Sequence, residues 1–189
     1  KVKLKKWLPT ITIKKTTYWS EIGATLESEN GDFYSLKFGA NERVKAGEQS
    51  YRLNRSTNFK EFYDALCIGA VARYNVIYAD RDDNLFFLNN ALVPKRDTSI
   101  DYSGVVFCNS DSTLWQGYHH PDDLVQAKNP ECGWIFNTNN DPSHATAKEE
   151  WGDLSDYPQH FGWGDDRGEN NRAERFLELM DETASGEVS

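Results

Sequence analysis

Residues 129–140 constrain this chain more than any other stretch. They read Asn129-Pro130-Glu131-Cys132-Gly133-Trp134-Ile135-Phe136-Asn137-Thr138-Asn139-Asn140, with Asp141-Pro142 directly behind. Asn-Pro-x-x-Gly is turn chemistry: proline presets φ, and glycine takes backbone angles that other residues avoid. The turn feeds Trp134 to Phe136, which the pattern predicts as a short apolar strand. That strand ends in carboxamides closed by a proline. Asn is a poor strand former and a strong hydrogen-bonding group. Two adjacent Asn at a buried strand end therefore need partners. They can knit a turn together, or one can aim an N–H at a developing oxyanion. The residues alone leave both roles open.

The chain has 189 residues, enough for one domain with a core or for part of a larger one. Aromatic residues make up 13% of it, which favours aromatic-rich β-structure over a helical bundle. A net charge of −9 argues against a nucleic-acid partner, because phosphate binding needs clustered Lys and Arg. No apolar run has membrane-spanning length, and no signal-peptide pattern is visible. Charge is uneven: residues 1–20 hold six Lys and no acid, and residues 141–189 hold thirteen acids and four Lys or Arg. A basic edge strand and a solvated acidic face account for that, with an acidic metal site as the sharper reading. Three cysteines at irregular spacing make no disulfide framework. Cys67 lies in an apolar helical pattern and suits a small core position. Cys108 and Cys132 each sit near a turn, where pairing is open. No zinc-ribbon CxxC occurs.

Along the chain, 2–19 and the pair 21–28 and 32–38 around Asn30-Gly31 read as strands, Asn-Gly being a strong hairpin turn. Residues 42–50 read as a polar loop. Asn58 with Glu61 predicts a capped helix over 58–70, whose face is Phe59, Phe62, Tyr63, Leu66 and Ala70. A hairpin follows: Tyr74–Ala79, a turn at Asp80–Asn84, and Leu85–Leu88. The Asp80-x-Asp82-Asp83-Asn84 cluster lacks the Gly and distant Glu of an EF-hand, so a turn is its reading. His120-Pro121-Asp122-Asp123-Leu124 suits one helical turn. Residues 143–169 are loop-like, and 172–182 form an amphipathic helix. Three blocks result: a β-rich 1–50, a helix, hairpin and Asn-Asn segment over 51–142, and a loop with a terminal helix over 143–189.

The order of these pieces resembles the penicillin acylase family, which includes penicillin, cephalosporin and acyl-homoserine-lactone acylases. Asn54-x-Ser56, Glu61-Phe62, Ala65-Leu66, Asn75-Val76-Ile77-Tyr78-Ala79-Asp80, Asn84-Leu85 and Val93-Pro94-x-Arg96 carry it. Trp115-x-Gly117, Asp122-Asp123-Leu124, Asn129-Pro130-x-x-Gly133 and Asn139-Asn140-x-Pro142 follow in the same order. No one motif is decisive, and the series spans about residues 50–182.

The resemblance implies an α+β fold, the αββα sandwich of N-terminal-nucleophile hydrolases, of which this chain is a β-rich partial piece with two main helices. It implies hydrolysis of a non-peptide amide through an acyl-Ser intermediate, in a large chain formed by self-cleavage. Asn139 then takes the oxyanion role and Arg172 supports the site, with Arg167 as a competitor. Trp134, Phe136 and Tyr118 are candidates for an apolar acyl pocket, with core packing as the ordinary alternative. No cofactor is required, and a structural calcium is open, with Asp153 and Asp156 as late carboxylates. The nucleophile, its free amine and the backbone oxyanion donor fall upstream of Lys1. None of Ser20, Ser56, Ser110 or Ser112 lies in a Gly-x-Ser-x-Gly elbow. The partners implied are a small-molecule amide and the rest of the acylase, in a periplasmic or secreted setting. The competing function is a non-catalytic β-rich binding or scaffold module.

Overall fold

The computed structural model describes residues 14–153, 155, 157, 158, 161 and 170–184. Asp156, Arg167 and most of the 2–19 extended segment lie outside them. The chain divides into two compact units, Lys1–Phe38 and Gly39–Ser189.

In the first unit, β1 (Tyr18–Trp19), β2 (Ala24–Glu27) and β3 (Phe33–Leu36) form an antiparallel sheet in that order. The Asn30-Gly31 turn is the one the sequence predicts, with Gly31 at φ +84° and its N–H donating to the Ser28 carbonyl at 3.0 Å. Gly23 has a different reason to be glycine: a Cβ there would sit 2.3 Å from the Leu36 carbonyl oxygen. Ser35 Oγ lies 2.8 Å from both Ser20 Oγ and Thr25 Oγ1, a hydroxyl cluster on one face.

The second unit is built on β4 (Arg73–Ala79), β5 (Leu85–Ala91) and β6 (Gln126–Lys128), antiparallel and ordered β4-β5-β6. The unbroken run Leu85-Phe86-Phe87-Leu88 marks the central strand. Phe86, Phe87 and Leu88 are buried on both faces, so the strand shows no polar alternation. The main core gathers Leu66, Phe86, Leu88, Val93, Leu124 and Phe161, with Phe59, Phe62, Tyr63 and Tyr78 packed against it. A second, smaller core joins Phe136 to Ala173 and Leu177.

Helix α2 spans Phe59–Leu66, shorter than the predicted 58–70. Asn58 caps it by accepting from the Glu61 N–H at 2.9 Å, and the Glu61 carboxylate reaches back to the Thr57 N–H. The chain leaves the helix where Ile68 and Gly69 tighten into short turns, with Gly69 at φ +56°. Helix α1 (Ala46–Arg55) stands where the sequence reads as loop. Its anchor explains the difference. Gln49 is fully buried and bonds at both ends of its amide, donating to Leu66 O at 3.4 Å and accepting from Ala70 N at 2.7 Å. A helix docked by a polar residue carries no apolar stripe for sequence reasoning to find. Helix α3 (Asn171–Ala184) covers the predicted terminal helix.

One local expectation is corrected, and one open question is answered. Trp134 to Phe136 joins no sheet; its tie is the Phe136 N–H to Ala145 O bond at 2.9 Å. The three cysteines are free, so Cys108 and Cys132 do not pair. Cys132 instead points its thiol at Trp134 O, 3.3 Å away. Among the described residues no helix is long and apolar enough to cross a membrane.

Candidate oxyanion site at the open end of the hairpin

The approach to the site is held at the far end of β5. Asn129, at φ +48°, donates its backbone N–H to Leu85 O and accepts the Leu85 N–H on Oδ1, each at 2.8 Å. Next along the turn, the Glu150 carboxylate accepts the backbone N–H groups of Glu131 and Cys132 at 2.7 and 2.8 Å. Those bonds, that of Cys132 first, hold the Glu150 carboxyl below the usual carboxylate range. Trp134 and Phe136 then pack on α3. Phe136 is 4% exposed and stacks on Phe176 with ring centroids 4.4 Å apart.

The next four residues divide the labour. Asn140 is buried and occupied on all sides. Its Oδ1 accepts from Thr138 N at 2.8 Å, and its Nδ2 donates to His144 O at 2.6 Å and Asp141 O at 3.2 Å. Asp141 in turn caps Pro142–His144 through the Ser143 N–H. Asn140 is therefore the turn-building carboxamide.

Asn139 differs. It is exposed and sits at φ +62°, a left-handed backbone that Asn tolerates better than other side chains. Its N–H donates to Asn137 Oδ1 at 2.9 Å, and its Oδ1 accepts from Arg172 Nη2 at 3.0 Å. A guanidinium has donors and no acceptor, so the atom facing it must be the amide oxygen. That fixes the direction of the amide. Among the described residues nothing takes the Nδ2 hydrogens.

Arg172 is placed by Asn170, whose Oδ1 caps α3 by accepting the N–H groups of Arg172 and Ala173, each at 3.1 Å. The Nδ2 of the same residue donates to Thr138 O at 3.3 Å, tying the helix start to the Asn139 turn.

Behind Asn139 lies a row of carboxamides. Asn137 Oδ1 also accepts from Asn75 Nδ2 at 3.1 Å, and Asn75 Oδ1 accepts from Asn89 Nδ2 at 2.6 Å. Asn75 and Asn89 are direct cross-strand partners of β4 and β5. A cavity of about 440 Å³ opens over this row, lined in part by Arg73, Tyr74, Asn75, Asn89, Asn137 and Asn139. The arrangement presents one neutral N–H donor at the cavity from a side chain fixed at its other end. That is the form of an oxyanion donor.

The structure thus brings Asn139 and Arg172 together, across 33 residues of sequence. Trp134 and Phe136 lie in the small core rather than on the cavity wall. Asp153 is exposed, and its Oδ1 accepts the Ser155 N–H at 2.8 Å, which lowers its pKa. Among the described residues no group of three His, Cys, Asp or Glu could hold a metal ion. Asn75, Asn89 and Asn170 were missed as site residues. Their signals were faint: an Asn inside each of two paired strands, where Asn is disfavoured, and an Asn three residues ahead of Ala173 at a helix start.

A model of the penicillin amidase family matches residues 1–189. Among solved structures, a thermostable penicillin G acylase from Alcaligenes faecalis is similar, with a TM-score of 0.61 and 24% sequence identity. The match covers 68% of this chain and 23% of that one, so the chain spans about a quarter of that acylase chain. At that identity the likeness speaks to the fold. The chain belongs to the penicillin amidase family.

Proposed function

We propose that this member of the penicillin amidase family contributes one half of the oxyanion hole of an acylase, through the side-chain amide of Asn139. The complete protein hydrolyses a non-peptide amide of a small molecule. A serine Oγ attacks the amide carbon, the C=O π electrons move onto oxygen, and the tetrahedral intermediate carries a negative charge. Asn139 Nδ2 donates to that oxygen. Collapse expels the amine, which leaves with the proton that the serine hydroxyl gave up, and an acyl-Ser ester remains, which water cleaves to the carboxylic acid. The serine, its amine base and a second, backbone donor belong to the rest of the acylase, with which this chain is assembled. A periplasmic or secreted setting is part of the same proposal.

The observation that carries it is the Arg172 Nη2 to Asn139 Oδ1 bond of 3.0 Å at the cavity edge. An amide whose oxygen is fixed by a donor-only group must turn its N–H groups the other way. A neutral donor also keeps its proton at every working pH, and it is preorganised, so no reorganisation is needed as charge develops.

The test is Asn139→Gly in the complete protein, assayed on a panel of chromogenic N-acyl amides. Glycine suits φ +62°, whereas alanine there adds about 1–2 kcal/mol of strain and confuses stability with chemistry. The expected loss is about 10²- to 10³-fold in kcat, with KM near wild type and an unchanged circular dichroism spectrum. Wild-type turnover in the folded variant removes Asn139 from the mechanism.

A further inference from the structure

We propose that Asn75, acting through Asn137, is a positioning residue that orients the Asn139 donor; this rests on the oxyanion role given to Asn139 above. Three amides stand in a row, and one backbone group sets their direction. The Asn139 N–H can only donate, so the Asn137 atom that it meets at 2.9 Å is the oxygen. The Asn75 atom 3.1 Å from that same oxygen must then be the nitrogen. Its oxygen is left to face Asn89, which presents nitrogen at 2.6 Å. Turning any one amide over would set like against like, oxygen against oxygen at Asn75 or Asn89 and donor against donor at Asn137.

The end of the row shows the consequence. Asn89 is 2% exposed, and its Oδ1 has no hydrogen-bond partner among the described residues. Buried polar atoms are nearly always satisfied, and an exception asks for a reason. Reversing Asn89 alone would cost the bond to Asn75. The unpaired acceptor is thus what remains when the polarity is dictated from the Asn139 end.

The row also has a mechanical role. Asn139 holds a left-handed φ of +62° in an exposed turn, and its N–H to Asn137 Oδ1 bond is the backbone contact that keeps it there. Asn75 supplies the second donor to the same oxygen and joins the turn to β4. With Arg172 on Oδ1 and Asn137 on the N–H, Asn139 is held at two points and its Nδ2 is aimed by both.

Asn75→Asp separates positioning from mere structure. A carboxylate has the shape of the amide but no donor, so it repels Asn137 Oδ1. A protonated carboxyl regains an O–H donor. Among the described residues, the charged groups at this end of the hairpin include Arg73 on β4 and Arg172 on α3, with Asp141 on the turn behind. In the complete protein, Asn75→Asp is expected to lower kcat by about ten- to a hundredfold near pH 7 with KM little changed. The ratio of variant to wild-type kcat is expected to rise as pH falls. Asn75→Ala, which adds no repulsion, is expected to lose kcat with a ratio independent of pH, and it serves alone if the Asp variant does not fold. Wild-type kcat in Asn75→Ala, or a pH-independent ratio in folded Asn75→Asp, overturns the proposal. Asn139→Gly, run beside them, tells the two failures apart. If it loses kcat while the Asn75 variants do not, only the positioning role falls; if it keeps kcat, the oxyanion reading falls and this inference with it.

Discussion

The β4–β5 hairpin ends in polar clusters of opposite kinds. At its turn, Asp80 is saturated. Its Oδ1 accepts the Asp82 and Asn84 N–H groups at 2.9 and 3.1 Å, and its Oδ2 accepts the Tyr78 hydroxyl at 2.8 Å. Asn84 Nδ2 bonds both oxygens. Burial pushes the Asp80 carboxyl up, but these bonds outweigh it and hold it below its usual range. At the other end, Asn75 and Asn89 lead to Asn137 and Asn139, and among the described residues the row stops with a buried Asn89 oxygen and an Asn139 amide N–H that have no partner. A cluster whose groups are all occupied holds a shape. A cluster with a donor left over at a cavity is equipped to meet something else.

Perturbing the open end tests that contrast hardest, and Asn139→Gly is the largest expected effect, on rate and not on folding. Next is Arg172→Ala. Losing the guanidinium frees the Asn139 amide to turn, and a hydrogen bond to a charged group is worth about 1.5 kcal/mol. A drop of about tenfold in kcat follows, with Arg172→Lys recovering part of it. An unchanged kcat in Arg172→Ala breaks the account of how Asn139 is oriented. Asp80→Ala is the mirror experiment. It leaves the Asp82 and Asn84 N–H groups without their acceptor, so the urea midpoint is expected to fall while kcat per folded molecule stays at the wild-type value. A selective loss of kcat there would erase the distinction between the two ends.

Glu150 gives the smallest effect. Its folded pKa lies below the ordinary 4.5 because the backbone of Cys132 and Glu131 donates to it. A depressed carboxyl contributes stability that is present above the unfolded value and lost as pH falls through the folded one. As pH falls from the ordinary value of 4.5 through the lower folded one, the wild type should therefore lose more stability than Glu150→Gln. Parallel denaturation curves for the two proteins would show that this grip on the Asn129–Gly133 turn contributes nothing.

The two ends were also unequally visible in advance. The Asp80 turn announces itself, since acidic and amide residues sit between two apolar runs and every bond is local. The Asn58 cap on α2 is local in the same way. Gln49 misled because a glutamine looks like surface until Leu66 and Ala70 arrive to bond it. Trp134 to Phe136 has strand composition but no ladder partner, and partners come from distant sequence. Asn139 and Arg172 were singled out through the order of motifs around them, not through their own spacing. Asn75, Asn89 and Asn137 form one row only in three dimensions, and as isolated Asn residues they point nowhere.

The same hairpin carries a lesson about sequence distance and time. The Asn84 N–H reaches Asp80 across four residues, whereas Asn75 reaches Asn137 across 62 and Arg172 reaches Asn139 across 33. Closing a loop of 62 residues rather than four costs roughly 2 kcal/mol more chain entropy. Contacts of that span form late, after the local ones have drawn the chain together. The turn end can fasten itself as soon as its own residues meet, while the amide end must wait for the 137–140 turn and the start of α3 to arrive.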